Sequence, residues 1–319
     1  MAVLVGIDEA GFGPILGPLV VSSTAFSLGK DLLAADLWRV LRRSVSDRRK
    51  HLAGRVLIAD SKKAYTKSLG IKHLERTVLA CLDCLGKRPA DLTELLGCLC
   101  PETLKRLTAY PWYENLDGFG KSVTDTDVRI AAAALQNEMS SKGIKLLALK
   151  SCCLDVGHYN RQVQAARNKS SVLFTATCQL IKTAFDNFGG DNLHIIIDRQ
   201  GGRVRYRKVL QRMFEDMELK IVKESTKLSS YELTTNNKMM KLHFAIGADG
   251  RYLPVALASM VSKYIRELLV HNINRYFGSF DAELKPTAGY WKDGTRFIRD
   301  IKNRIGHVNF DEGKLIRCR

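Results

Sequence analysis

The chain has 319 residues, 45% of them hydrophobic, with 50 Lys+Arg against 33 Asp+Glu for a net charge of +17. That apolar share supports a real core in one large domain or two ordinary ones. The charge favours an anionic partner, nucleic acid foremost, because the basic residues are spread along the chain. No run of about 18 apolar residues and no basic stretch ahead of an apolar one is present, so neither a membrane span nor a signal peptide is expected. A cytoplasmic chain with its eight cysteines reduced is expected instead.

In chain order, residues 2–8 read as a buried strand, and residues 18–27 as the next, after the Gly13-Pro14 and Gly17-Pro18 turns. Residues 31–49 predict a helix on the spacing of Leu32, Leu33, Leu37 and Leu41. Residues 55–60 predict a short strand ending at Asp60-Ser61-Lys62-Lys63, and 71–86 a helix. Residues 87–145, with Pro89, Pro101, Pro111 and a helix near 127–140, read as an inserted helical subdomain. A strand at 144–151, a helix at 170–187, a strand at 193–198 and a helix at 204–217 follow. Residues 219–224, 230–235 and 239–247 alternate like strands, with Asn236-Asn237 as a turn. A long helix at 254–275 precedes a basic, mixed tail beyond 290. Strands alternating with helices predict an α/β fold, and the two hairpin-like stretches predict a mixed central sheet. The expected division is a core of 1–86 and 146–275, the insertion at 87–145, and a basic extension at 276–319.

The chemistry centres on acids at strand ends. Asp8 and Glu9 end the run Val3-Leu4-Val5-Gly6-Ile7 and lead into Ala10-Gly11-Phe12-Gly13-Pro14. Asp198 ends Ile195-Ile196-Ile197 ahead of Gly201-Gly202, and Asp249 follows Phe244-Ala245-Ile246-Gly247-Ala248. One such acid usually caps a turn or helix. Three strand ends plus Glu9 in a +17 protein instead point to a convergent carboxylate set. Oxygen-only ligands suit Mg²⁺ or Mn²⁺, and a pair of such ions about 3.5–4 Å apart clamps the attacking and leaving oxygens of a phosphodiester.

These residues resemble a family. Gly6-Ile7-Asp8-Glu9-Ala10-Gly11-Phe12-Gly13-Pro14 followed by Leu16-Gly17-Pro18-Leu19-Val20-Val21 is similar to the opening of type 2 ribonuclease H (the ribonuclease HII family). The likeness continues in order through Ala59-Asp60-Ser61-Lys62-Lys63, Ile195-Ile196-Ile197-Asp198, Asp249 with Ala258-Ser259-Met260-Val261-Ser262-Lys263, and Gly289-Tyr290. The resemblance implies a ribonuclease H-like fold and metal-dependent cleavage of RNA in RNA–DNA hybrids, or at single ribonucleotides in duplex DNA, leaving 5′-phosphate and 3′-hydroxyl ends. It implies Asp8, Glu9, Asp198 and Asp249 as catalytic metal ligands for Mg²⁺ or Mn²⁺, with Asp8 bridging. It implies Gly11, Phe12 and Gly13 at the ribonucleotide, where backbone N–H groups reach the 2′-OH, and Tyr290 stacked on the neighbouring sugar. Ser61, Lys62, Lys63, Ser259 and Lys263 complete the substrate-binding set. Phe12 departs from the family's Arg or Lys, so the loop lacks one phosphate-binding cation; Phe12 either stacks on a base or sugar or packs. Arg199, where the family usually has glycine, is a second departure. A role in DNA repair and a monomer are expected. The alternatives are a nuclease of this fold acting on another nucleic acid, and a non-catalytic nucleic-acid binder.

Other features are plainer. Lys263 contacts phosphate, pairs with Glu267 four residues on, or does both. Arg203, Arg205, Arg207 and Lys208 either line a duplex groove or form a solvated face. Cys81-x-x-Cys84 lies in a helix-like apolar pattern with Leu79, Leu82 and Leu85, and neither its spacing nor that of Cys98-x-Cys100 is that of a common zinc ribbon, so buried reduced thiols are expected rather than zinc.

Overall fold

The computed structural model describes residues 1–50, 52–66, 70–235 and 237–318. The strands are β1 (Ala2–Ala10), β2 (Leu19–Leu28), β3 (Val45–Ser46), β4 (Val56–Leu57), β5 (Lys145–Leu154), β6 (Leu193–Asp198), β7 (Glu218–Glu224), β8 (Leu228–Thr234) and β9 (Met239–Ala245). The helices are α1 (Leu37–Val40), α2 (Ser61–Ala64), α3 (Lys72–Cys84), α4 (Leu92–Leu99), α5 (Pro101–Leu107), α6 (Asp125–Ser141), α7 (Val156–Ala166), α8 (Lys169–Phe188), α9 (Arg207–Met213), α10 (Leu253–Gly278), α11 (Trp291–Arg304) and α12 (Glu312–Leu315).

Seven strands form one sheet in the order β5-β2-β1-β6-β9-β8-β7. β1, β6 and β9 run parallel, whereas β2 is antiparallel to both β1 and β5. β7, β8 and β9 form an antiparallel meander. The mixed α/β sheet flanked by helices is therefore as expected. Residue 236 of the expected Asn236-Asn237 turn lies outside the described residues.

β1 is buried over nearly its whole length because both faces are covered, which is why it reads as a continuous apolar run and not an alternating one. One apolar layer joins the sheet to α10, α3 and α6; the other joins it to α7, α8 and α9. α4, α5 and the Tyr110–Tyr113 stretch contribute to the first layer, with Trp112 against Tyr276 and Phe277 of α10. No helix among the described residues is long and apolar enough to cross a membrane.

The single helix expected over 31–49 is not formed. Asp36 caps a new short helix, its carboxylate accepting from Trp38 N (3.0 Å) and Arg39 N (3.4 Å). Glu138 of α6 then captures Ser44 through its amide (2.7 Å) and hydroxyl (2.5 Å), and the chain turns into β3, parallel to β4. The helix expected at 204–217 shrinks to α9, because Tyr206 N donates to the Tyr231 hydroxyl (2.8 Å) and the Ser229 hydroxyl to Val204 O (2.6 Å). Helix α7, capped by Asp155, and the amphipathic α11 in the basic tail were not expected from the sequence.

The sheet and α10 meet backbone to backbone at Gly6. A Cβ there would stand 2.2 Å from the Pro254 carbonyl carbon, and the Thr24 hydroxyl donates to Pro254 O (2.7 Å) at the same contact. Gly6→Ala is expected to cost about 3 kcal/mol or more through this clash. A denaturant-unfolding midpoint equal to the parent's would show that α10 is free to shift.

Candidate active site

The parallel register carries three acids to one edge. β1 pairs with β6 up to Ile7 opposite Ile197, so Asp8 and Asp198 follow side by side. Asp198 lies opposite Ala245 of β9, and the turn beyond, with Gly247 at φ +57°, brings the Ala248 amide back to donate to Asp198 Oδ1 (2.6 Å). Asp249 follows that amide directly. The Glu9 amide donates to Asp8 Oδ1 (2.8 Å), and the Ser262 hydroxyl to Asp8 O (3.1 Å).

All four carboxyls are pushed upward, by burial first in each, and the charge of neighbouring acids lifts Asp8, Glu9 and Asp249 further. Asp8 rises well above the usual range through burial first, then the charges of Glu9 and Asp198, against a hydrogen bond from Ser259. Glu9 is pushed up to about 7 by burial, with Asp198 and Asp249 adding and Lys62 opposing. Asp198 is raised by burial, against the amides of Ala248 and Arg199 and the charge of Lys62. Asp249 is raised by burial, then by Asp60 and Asp198, again against Lys62. Four acids thus share one electrostatic neighbourhood in which Lys62 is the recurring cation.

Carboxylates held towards their neutral forms are an all-oxygen donor set short of counter-charge, which fits a hard divalent ion. Among the described residues, no three His, Cys, Asp or Glu side chains are already placed to hold one ion. The fit is therefore one of donor chemistry and proximity.

The remaining expected site residues divide. Ser61 is buried, 3.0 Å from the Ser259 hydroxyl, and Lys62 and Lys63 are exposed beside it. Asp60 caps this turn through Lys62 N (2.9 Å). Lys263 forms a largely buried pair with Glu267 (2.7 Å), its ammonium 4.6 Å from the Tyr65 ring. Gly11 takes φ +92°, and a Cβ there would meet Pro18 O at 2.5 Å. Phe12 packs against the second apolar layer with Lys169 5.2 Å over its ring, and nothing occupies the space a Cβ on Gly13 would enter. Tyr290 is exposed, its ring 5.8 Å from the Arg266 guanidinium. Gly289 O accepts from Ile15 N (2.8 Å) and Leu16 N (3.2 Å), which ties Tyr290 to the Gly11–Gly13 loop.

Several contributors were missed. Arg317 donates to Gly11 O and Phe12 O from a buried position. Arg266, also buried, holds Leu16 O (3.3 Å) and Ala288 O (2.9 Å). A lone arginine in a basic chain gives no sequence signal for such a clamp. Arg199 has a structural account: it donates to Ser225 O (2.9 Å) and Thr226 O, pinning the end of β6 to the β7–β8 turn. Arg203 lies over Phe174 (5.2 Å) and Tyr206 (5.7 Å). All eight cysteines are free thiols.

No protein-family model and no curated protein matches the chain. Solved structures do. A chain of the PCNA:RNase HII complex from Archaeoglobus fulgidus is similar at 15% identity and TM-score 0.44, over 100% of this chain and 95% of that one. RNase H3 from Aquifex aeolicus is similar at 15% identity and TM-score 0.45, over 98% and 71%. Bst-RNase HIII, solved in complex with Mn²⁺, is similar at 14% identity and TM-score 0.43, over 99% of this chain and 66% of that one.

The raised carboxyls make stability fall with pH. Folded Glu9 keeps its proton up to about pH 7, whereas the unfolded chain releases it near the ordinary value of 4.5. Between those values the folded state binds more protons, so its advantage is full below about 4.5 and is lost as pH rises to about 7. Glu9→Gln is expected to flatten that decline in thermal unfolding; an unchanged pH profile would place Glu9 outside the group of raised acids.

Proposed function

We propose that the protein is a divalent-metal-dependent endonuclease of ribonuclease H type, cutting the RNA strand of RNA–DNA hybrids or single ribonucleotides in duplex DNA. The observation that carries this reading is the geometry of the acids: Asp8 with Glu9 and Asp198 at the ends of the paired strands β1 and β6, and Asp249 next to the Ala248 amide that donates to Asp198. The +17 charge and the order of the sequence motifs support it. In this reading 1–86 and 146–275 form the catalytic core, 87–145 is a helical insertion, and 276–319 completes the substrate face by holding Tyr290 and Arg317 against the Gly11–Gly13 loop.

The four carboxylates would hold Mg²⁺ or Mn²⁺. When bound, such an ion polarises a phosphoryl oxygen and makes water a nucleophile near neutral pH. The chain's own residues do the rest. Lys62, exposed on the α2 turn beside the acids, attracts the scissile phosphate, and the exposed Lys63 next to it takes a neighbouring phosphate. Gly11 and Gly13 let the backbone approach a ribose closely enough to sense its 2′-OH. Exposed Tyr290 offers a ring to the neighbouring sugar. Ser259 and the Glu9 and Ala248 amides orient the acids.

Phe12 favours a second reading, a nuclease of this fold with a different nucleic-acid substrate, because its ring is packed and stacked under Lys169 where the resemblance implies a phosphate-binding cation. A panel of hybrid, single-ribonucleotide, DNA and RNA substrates separates the two. Cleavage confined to the ribose-containing duplexes is expected; preference for DNA-only duplex would overturn the first reading.

Asp8→Asn and Asp198→Asn are each expected to lower the cleavage rate at least ~10²-fold, the scale of losing a charge-stabilising group in an active site. Parent-like rates would remove them from the metal set. Mn²⁺ at about 100 times its dissociation constant is expected to stabilise the parent by about 2.7 kcal/mol and these variants by much less. Equal thermal shifts would refute the assignment.

A further inference from the structure

A cleft of about 840 Å³ opens beside Asp249, away from the Gly11–Gly13 loop. Asp249 and Arg251 line it from the β9–α10 turn, Arg42 and Arg48 from the segments flanking β3, and Lys63 from α2. Its size falls within the ~300–1,000 Å³ of ligand-binding clefts. Arg42 and Lys63 form no ion pair among the described residues, and both are exposed. Arg48 faces Asp47 at 3.9 Å with both side chains mostly in solvent, a pairing too weak to compete with a phosphate.

Trp38 gives the cleft a second character. Its indole N–H donates to Ile58 O (2.7 Å), which satisfies the polar edge and fixes the ring as part of the cleft lining. Cations beside a fixed aromatic ring are what a nucleic-acid strand requires, phosphates on the former and a base on the latter. A small anion makes no use of the ring. The folding of residues 36–48 away from one helix is what builds this wall, through the Asp36 cap and the Glu138 hold on Ser44.

We propose that this cleft carries a nucleic-acid strand away from the carboxylate group, its backbone on Arg42, Arg48 and Lys63 and a base against Trp38. The inference rests on the nuclease reading for the position of the scissile phosphate. Its test does not, because binding is read without metal. A labelled RNA–DNA hybrid with a single-stranded extension is titrated in EDTA between ~50 and ~200 mM salt, by fluorescence anisotropy. Arg42→Glu/Arg48→Glu is expected to weaken binding at least ~10-fold and to make the log–log salt slope shallower by about 1.5, as for two lost phosphate contacts. Arg42→Gln/Arg48→Gln serves if the glutamates unfold the chain, with the same direction and a smaller loss.

Unchanged affinity and slope in a folded variant would overturn the proposal. So would inorganic phosphate displacing the strand at an equal concentration of phosphate groups, which would make this a free-phosphate site. If the parent binds but cleaves nothing in Mn²⁺, while the double variant still loses affinity, the nuclease reading fails and the strand path stands. Normal cleavage with unaltered binding by the variant gives the reverse.

Discussion

Crowding of like charge at the ends of adjacent strands is the constraint on which the rest of this structure depends. Parallel pairing of β1 with β6 and of β6 with β9 leaves the chain no choice about where Asp8 and Asp198 stand, and the tight turn after β9 adds Asp249. Burial of Asp8, with Glu9, Asp198 and Asp249 half-buried beside it, then thins the solvent that would screen them. One lysine, Lys62, recurs as the opposing charge at three of the four carboxyls, Glu9, Asp198 and Asp249, so a proton or an added cation must supply the remainder. The close approach of Gly6 to Pro254 belongs to the same constraint, since it is how α10 lies near enough for Ser259 and Ser262 to reach the end of β1.

Much of this was legible in the residues. Strands buried on both faces betray themselves by unbroken apolar runs, and the acids that end them stand out because three such ends in one basic chain are more than turn or helix capping accounts for. The mixed sheet was readable from the two hairpin-like stretches. Where the reading failed, tertiary contacts overruled local preference. The leucine spacing at 32–41 is helical, yet Glu138, about ninety residues later, takes the Ser44 amide and ends any helix there. Tyr231 does the same to the start of α9. α11 went unread because its charges mask the stripe of Phe297 and Ile301 that buries it. In the site, acids announce themselves by position, whereas Arg266 and Arg317 act through backbone carbonyls that any sequence offers.

Asp60, Ser61 and the two lysines after them show how a short segment serves several ends. The Asp60 carboxylate caps α2 and its charge lifts Asp249, Ser61 meets Ser259 in the buried layer, and Lys62 faces the acids while Lys63 faces the cleft. A four-residue helix does this because its first turn points successive side chains in different directions.

The guanidinium of Arg317 grips the carbonyls of Gly11 and Phe12 across a sequence separation of 306 residues. Closing so long a loop is entropically unfavourable until the intervening chain has condensed. A ribosome-bound nascent chain therefore displays its acidic strand end early, whereas the glycine loop beside it cannot take its fixed shape until residue 317 has been made and brought back to it.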